Sequence, residues 1–422
     1  MKKHSPWAWI PSLYFAQGLP YVMVMTVSVI MYKRLDVSNT DIALYTSWLY
    51  LPWVIKPLWS PLVDLLKTKR WWIVTMQLMT GAGLAGVAFT IPTDSFFQFT
   101  LAFFWLLAFS SATHDIAADG FYMMGLKAHE QALFVGIRST FYRIAMIFGQ
   151  GILIILAGYL ETTSGIKGAW RLTFLVISAA FVLFSLFHRY ILPRPADDKP
   201  GNTDTIAELA RQTGLTFISF FQKKNIGVAL AFLLLFRLGE AQLVKLASPF
   251  MLDAVEAGGL ALETSTVGLI YGTIGVIALT LGGILGGIVI SIKGLKFWLL
   301  PMTLAINLPN LAYVYLSHAM PESMWLISAS VALEQFGYGF GFTAYVLYMI
   351  YFSEGPNKTS HYAICTGLMA LGMMLPGMVS GWIQEQIGYA SFFIWVMICT
   401  IPGFLVIRFL RVNPTFGIKN TQ

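Results

Sequence analysis

The sequence predicts an all-α integral membrane protein of about twelve transmembrane helices in two six-helix halves, and three observations carry that prediction. Charged residues make up only 11% of the chain against 57% hydrophobic ones, at a mean hydropathy of +0.70. A soluble domain carries about 25% charge, so this chain has too little polar surface to face water and must use lipid as its solvent. Apolar segments of about 20 to 28 residues follow one another with short polar breaks, and about 20 residues suffice for a helix to cross a bilayer. The longest polar stretch, 193–224, opens PRPADDKPGNTDT; its prolines, acids and glycine read as a linker.

The expected spans lie near 8–32, 41–66, 72–92, 96–126, 131–160 and 170–192, then 226–252, 264–292, 295–316, 323–353, 358–387 and 390–411. The first is too long for a signal-peptide core and lacks a small-residue cleavage site, so it is expected to be retained as a span. The domain reading follows: an N-terminal half over 1–192, a cytoplasmic linker over 193–224 and a C-terminal half over 225–422. Six plus six spans with a central linker is the hydropathy outline of the major facilitator fold. Orientation comes from the bases. About 18 of the 27 Lys and Arg residues fall at the termini and in the even-to-odd loops, against about four in the opposite loops. Both termini are therefore expected on the cytoplasmic side of the inner (cytoplasmic) membrane.

Several function classes drop out. The net charge of +7 sits in short loops as a topology signal, so no nucleic-acid partner is expected. Cys365 and Cys399 lie inside apolar runs with no metal or redox spacing, and neither a metal nor a cofactor is expected. An integral-membrane acyltransferase would need a nucleophile or metal cluster near one face; no HExxH motif, Cys/His set or long catalytic loop is present. The chain is read as a monomeric transporter rather than an enzyme.

The informative residues are the charges the spans tolerate: Lys56, Asp115, Asp119, Arg138, Arg143, Arg237, Glu240, Lys245 and Glu334. Facing lipid at the bilayer centre, each would cost roughly 2.5–3.5 kcal/mol, so each must pair, approach an interface or line a wet cavity. In the fourth span Ser111, Asp115, Asp119 and Tyr122 are spaced to share one helix face. The tenth span repeats the pattern with Glu334, Tyr338, Gly341, Tyr345 and Tyr348, and the first with Tyr14, Gln17 and Tyr21. Asp115 and Asp119, one turn apart, raise each other's cost of ionising, as a proton-coupling site requires. Glu240 and Glu334 join them as candidate proton carriers; Arg237 and Glu240, three apart, read equally as a structural ion pair. Tyr14, Gln17, Tyr21, Tyr122, Tyr142, Tyr338 and Tyr345 suit a sugar that stacks on aromatic rings and takes hydrogen bonds, although any single tyrosine can be ordinary packing. Arg138, Arg143, Arg237 and Lys245 supply fixed cations for a carboxylate or phosphate. Lys56, flanked by prolines, reads as snorkelling to the cytoplasmic face. His114 reads as packing rather than as a proton relay.

The segments LYFAQGLPY, KPLWSPLVD and SSATHDIAADGFYM resemble the AmpG muropeptide permease family, relatives of the peptide–acetyl-coenzyme A transporters. FRLGEAQ, LEQFGYGFG and the SGW ending at Trp382 follow in the expected order. SPLVDLLKTKR also resembles the major facilitator gating loop, which would make Asp64, Lys69 and Arg70 a gating clasp. The matching loop after the eighth span keeps Gly286, Gly287, Lys293 and Lys296 but has no acid. The resemblance implies that spans one, four, seven and ten surround a central cavity. It also implies proton-driven import of N-acetylglucosaminyl-1,6-anhydro-N-acetylmuramyl peptides, with Asp115, Asp119, Glu240, Glu334 and Arg143 at matching positions. Some family members are longer, with additional hydrophobic segments. That departure leaves another glycan-derived oligosaccharide or amino sugar as the alternative solute.

Overall fold

The structure, a computed structural model, describes residues 5–126, 128–196, 198–200 and 206–418. In chain order, α1 runs Pro6–Arg34, α2 Asn39–Trp48, α3 Leu51–Leu66, α4 Lys69–Thr90, α5 Phe96–Gly125, α6 Ala128–Ile147 and α7 Leu153–Ile191. Next come α8 Ile206–Phe221, α9 Ile226–Leu235, α10 Leu238–Leu252 and α11 Val276–Asn307. The chain closes with α12 Leu311–Ala319, α13 Met324–Ser353, α14 Lys358–Ile398 and α15 Ile401–Ile407.

Seven helical stretches are long and apolar enough to cross a membrane. Three of them span 50 to 56 residues, which at 1.5 Å per residue would extend about 75–84 Å as straight rods, more than twice a hydrocarbon core. They fold back instead. Each carries one glycine in the left-handed region, Gly165 in α7, Gly294 in α11 and Gly388 in α14, with φ of 66°, 80° and 73°. A side chain there would strain the backbone, so glycine marks the turn between two passes. All three glycines fall where the sequence places an interspan loop. With the second span (α2 and α3) and α13, the described residues make the expected twelve passes, all helical.

Two spans are broken at informative places. Pro52 sits in the first turn of α3, where its missing N–H costs nothing, and the second span divides there into α2 and α3. The seventh span divides at Phe236 and Arg237, and Arg237 becomes the residue that opens α10. The stretch 193–224, expected as linker, contains a helix of its own, α8. Its end docks by Phe220 against Phe352 and His361, while Lys223 Nζ donates to the carbonyls of Phe352 (2.5 Å) and Glu354 (2.8 Å).

By packing, the chain forms two units: Met1–Leu35 with Ile55–Thr213, and Asp36–Val54 with Gly214–Gln422. In the first, α1 lies against α5 and α6, and α4 against α5 and α7, over a core that includes Trp9, Leu13, Ile73 and Phe121. A buried polar chain ties four of its helices. Ser12 Oγ meets His188 Nε2 (3.0 Å), His188 Nδ1 meets Gln77 Oε1 (2.9 Å), and Gln77 Nε2 meets His114 Nε2 (3.0 Å). In the second unit α11 packs along α13 so closely that a Cβ on Gly339 would collide with the Leu279 carbonyl. Small residues that let backbones approach are the usual adhesive between helices in lipid. The sequence boundary and the packing boundary differ at α2, which packs on α14 within the second unit.

Candidate functional site

Each unit holds a cluster of polar residues among its spans. In the first unit it is built on α1, α3, α5 and α6. The fourth-span stripe forms as the spacing predicts, but both of its acids have cationic partners. Arg138 Nη2 lies 3.0 Å from Asp119 Oδ1, and Lys56 Nζ lies 3.8 Å from Asp115 Oδ2. Lys56 therefore turns to a carboxylate of its own unit rather than snorkelling alone. Arg138 also lies over the rings of Tyr14 (4.6 Å) and Tyr122 (4.9 Å), which meet each other edge to face at 5.9 Å. A guanidinium on ring faces gains cation–π attraction while keeping a donor edge for its carboxylate. The hydroxyl of Tyr14, Oε1 of Gln17 and Oγ of Ser111 are buried here without a hydrogen-bond partner. Tyr142 lies within electrostatic reach of the same acids and of Tyr21, and its backbone carbonyl approaches Gly18. Arg143 is half-buried on the same helix as Arg138.

The second unit is arranged differently. Glu240 (0% exposed) and Glu334 (1% exposed) are electrostatic neighbours, yet among the described residues no lysine or arginine forms an ion pair with either. Both carboxylate oxygens of Glu240 and Oε1 of Glu334 are buried without a hydrogen-bond partner. Glu334 Oε2 accepts from Gln335 Nε2 at 2.9 Å. Arg237, read from the sequence as a possible mate for Glu240, points its guanidinium elsewhere. Its Nη2 donates to the Tyr338 hydroxyl (2.5 Å), and the group lies over the rings of Phe342 (4.8 Å) and Tyr338 (5.2 Å). Tyr271 and Tyr313 complete the surroundings of the two acids, and the Tyr313 hydroxyl is buried and unpartnered as well.

Other expected site residues have different surroundings. Tyr345 is fully buried, donates to the Leu233 carbonyl (2.6 Å) and stacks on Phe236, which is a core position. Lys245 is buried with its Nζ on Thr46 Oγ1 (2.9 Å) and over the Tyr50 ring (5.3 Å), both contributed by the 36–54 segment. Lys69 and Arg70 open α4, and their backbone N–H groups donate to Asp198 Oδ1 (2.6 Å) and Oδ2 (3.1 Å). The side chain of Asp64 lies outside the described residues. Sequence reasoning missed Gln335, Tyr271, Tyr313 and Asp198. Only Gln335, adjoining Glu334, carried a local signal. His114, expected as packing, is buried and held by Gln77.

An anhydromuropeptide permease of Escherichia coli strain K12 is 25% identical over 416 residues, covering 95% of this chain and 80% of that protein. A putative transporter AmpG 4 of Rickettsia conorii is 27% identical, covering 94% of each chain. Among solved structures, a POT family transporter in complex with a thioalcohol-conjugated peptide superposes with a TM-score of 0.71 at 8% identity, covering 95% of each chain. The nucleoside transporter NupG gives 0.69 at 14% identity, over 97% of this chain and all of that one, and these likenesses speak for the fold alone. The model of the Major Facilitator Superfamily matches residues 12–360, and the chain, a multi-pass membrane transporter with AmpG-like relatives, belongs to that superfamily.

Proposed function

We propose that this protein imports cell-wall-derived anhydromuropeptides, N-acetylglucosaminyl-anhydro-N-acetylmuramyl peptides, into the cytoplasm by proton-coupled alternating access. The solute class is supported by the named relatives and by the first unit's cluster. There Arg138, held on the rings of Tyr14 and Tyr122, offers a fixed cation to a peptide carboxylate. A substrate carboxylate would share that guanidinium with Asp119. Another glycan-derived oligosaccharide or amino sugar is the alternative solute and lacks the anion.

The observation that carries the coupling is the charge balance of the second unit. Two buried carboxyls have one guanidinium in electrostatic reach, that of Arg237 near Glu240, and it is hydrogen-bonded to Tyr338. Ionised together, the acids would leave one uncompensated charge in a dry interior, at a cost of several kcal/mol. One proton on the Glu240–Glu334 pair removes it. Asp115 and Asp119, each beside a cation, have no such need and act in this reading as fixed charges. Entry of that proton supplies about 2.3 kcal/mol per 100 mV of membrane potential. Both termini are assigned to the cytoplasm and the protein works as a monomer in the cytoplasmic membrane.

Proteoliposome uptake tests the proposal. Labelled anhydromuropeptide is expected to accumulate only under an inward proton gradient, in competition with unlabelled muropeptide and not with free N-acetylglucosamine. Equal accumulation with the gradient collapsed by an ionophore would remove the coupling. Preference for a sugar without the peptide would select the alternative solute.

A further inference from the structure

A groove of about 480 Å³ lies on the outside of the first unit between α4 and α7, away from the acids described above. Its two ends differ in chemistry. One is formed by Thr68, Arg70 and Arg189, and the other by Val74, Leu78, Val182 and Leu186, with Trp71 beside the basic end. The helices run antiparallel here, so the start of α4 meets the end of α7. Both bases thus come to one level, and the apolar residues recur three or four positions further along each helix. From Arg70 to Leu78 the groove descends about 12 Å.

The groove is held in shape by the chain itself. Ser185 Oγ donates to the Val74 carbonyl (2.9 Å), and about two turns deeper Ser178 Oγ donates to the Gly81 carbonyl (2.7 Å). Arg70 reaches across to the carbonyls of Arg189 and Leu192. Asp198 accepts the two N–H groups that open α4, so the helix terminus is already occupied. The Arg189 guanidinium, by contrast, is exposed and makes no hydrogen bond or ion pair among the described residues. Arg194 is a further electrostatic neighbour of Arg70, which among the described residues leaves three guanidiniums against the Asp198 carboxylate at this corner. The apolar walls are open to the outside: Leu78, Val182 and Leu186 are 49%, 37% and 48% exposed. By the distribution of bases, this end of α4 belongs to the cytoplasmic side, and an exposed Trp71 suits the headgroup level.

We propose that this groove binds one anionic phospholipid of the cytoplasmic leaflet. Its phosphate sits on Arg189 and Arg70, and one acyl chain runs down over Val74, Leu78, Val182 and Leu186. An arginine fork recognises phosphate oxygens in pairs, and a chain entering an apolar channel beneath it makes the site select a lipid rather than a free anion. The site lies outside both polar clusters and stands whether or not the solute assignment does.

Native mass spectrometry of the full-length protein, delipidated in detergent, tests this. Titration with phosphatidylglycerol is expected to give one saturating adduct, while phosphatidylcholine binds without saturation and water-soluble glycerol phosphate does not bind. Arg189→Gln is expected to lower phosphatidylglycerol occupancy about fivefold, the worth of one basic contact at a membrane surface. Leu186→Asn should lower it by a separate route, through the acyl wall. Both positions are exposed, so the variants are expected to retain the wild-type thermal unfolding profile. Equal binding of the two lipids, or glycerol phosphate binding as well as the lipid, overturns the proposal. So does unchanged phosphatidylglycerol occupancy in both variants.

Discussion

The two units solve one problem in opposite ways. Each polar cluster holds two carboxylates and at least one arginine. In the first unit's cluster both acids are beside a cation: Asp119 with Arg138, Asp115 with Lys56. In the second, Arg237 is bonded to Tyr338, and Glu240 and Glu334 are left facing each other with three unpartnered oxygens. A paired carboxylate keeps its charge through a reaction cycle, because protonating it strands its partner. An unpaired buried pair can exchange a proton with modest change elsewhere, since like charges held close cannot both ionise cheaply. In the function proposed above, the first unit supplies fixed charge for recognition and the second exchangeable charge for coupling.

The largest effect that can break this comparison is expected from Glu240→Gln and Glu334→Gln. Either should lower gradient-driven uptake at least about a hundredfold while solute binding stays within about threefold, because the amide mimics a protonated carboxyl and cannot cycle. Uptake under a gradient and equilibrium binding measured on the same preparation separate the two quantities. If Asp119→Asn loses the gradient response and the glutamate variants keep it, the roles of the units are reversed.

Next in size is Arg138→Gln. It removes the cation over Tyr14 and Tyr122 and leaves Asp119 uncompensated, so a solute with a peptide carboxylate should bind about 10- to 100-fold more weakly. Binding of a neutral sugar analogue should move far less. The double variant with Asp119→Asn relieves the stranded charge, and its thermal stability should recover towards wild type even though solute affinity does not. A parallel loss for charged and neutral solutes would show that Arg138 supports the fold rather than reading an anion.

Much of this arrangement was legible in the chain. The fold was legible because lipid imposes a strong rule: every pass must be an apolar helix, so hydropathy and loop charge fix the number and order of spans. Even the turns at Gly165, Gly294 and Gly388 fall in expected loops. The stripes were legible for the same reason, since helical spacing puts Asp115 and Asp119 on one face. What spacing does not carry is the partner. Lys56 reads as a snorkelling base until α3 brings it beside Asp115. Arg237 reads as a mate for Glu240 until the break in the seventh span turns it to Tyr338. Tyr271 and Tyr313 are single tyrosines in apolar segments, and only packing against α13 shows what surrounds Glu334. Pairings across 50 to 100 residues are decided by tertiary contact, which one sequence does not display.

Tyr338 and Tyr345 lie seven apart on α13 and look equivalent in the sequence. The structure gives Tyr338 to Arg237, near Glu240, and Tyr345 to the Leu233 carbonyl in the core. Tyr345→Phe removes one buried hydrogen bond and leaves a carbonyl short of a partner, so it should cost about 1 kcal/mol of stability and leave uptake unchanged. Tyr338→Phe also removes the bond to Arg237, the one cation near the pair among the described residues. A freed guanidinium can turn towards Glu240 and hold it ionised, which predicts a several-fold slower gradient-driven uptake with little loss of stability. Thermal unfolding and uptake measured side by side on the two variants give that crossed pattern. If both variants lose stability alone, Tyr338 is a packing residue and Arg237 is not free to choose between its neighbours.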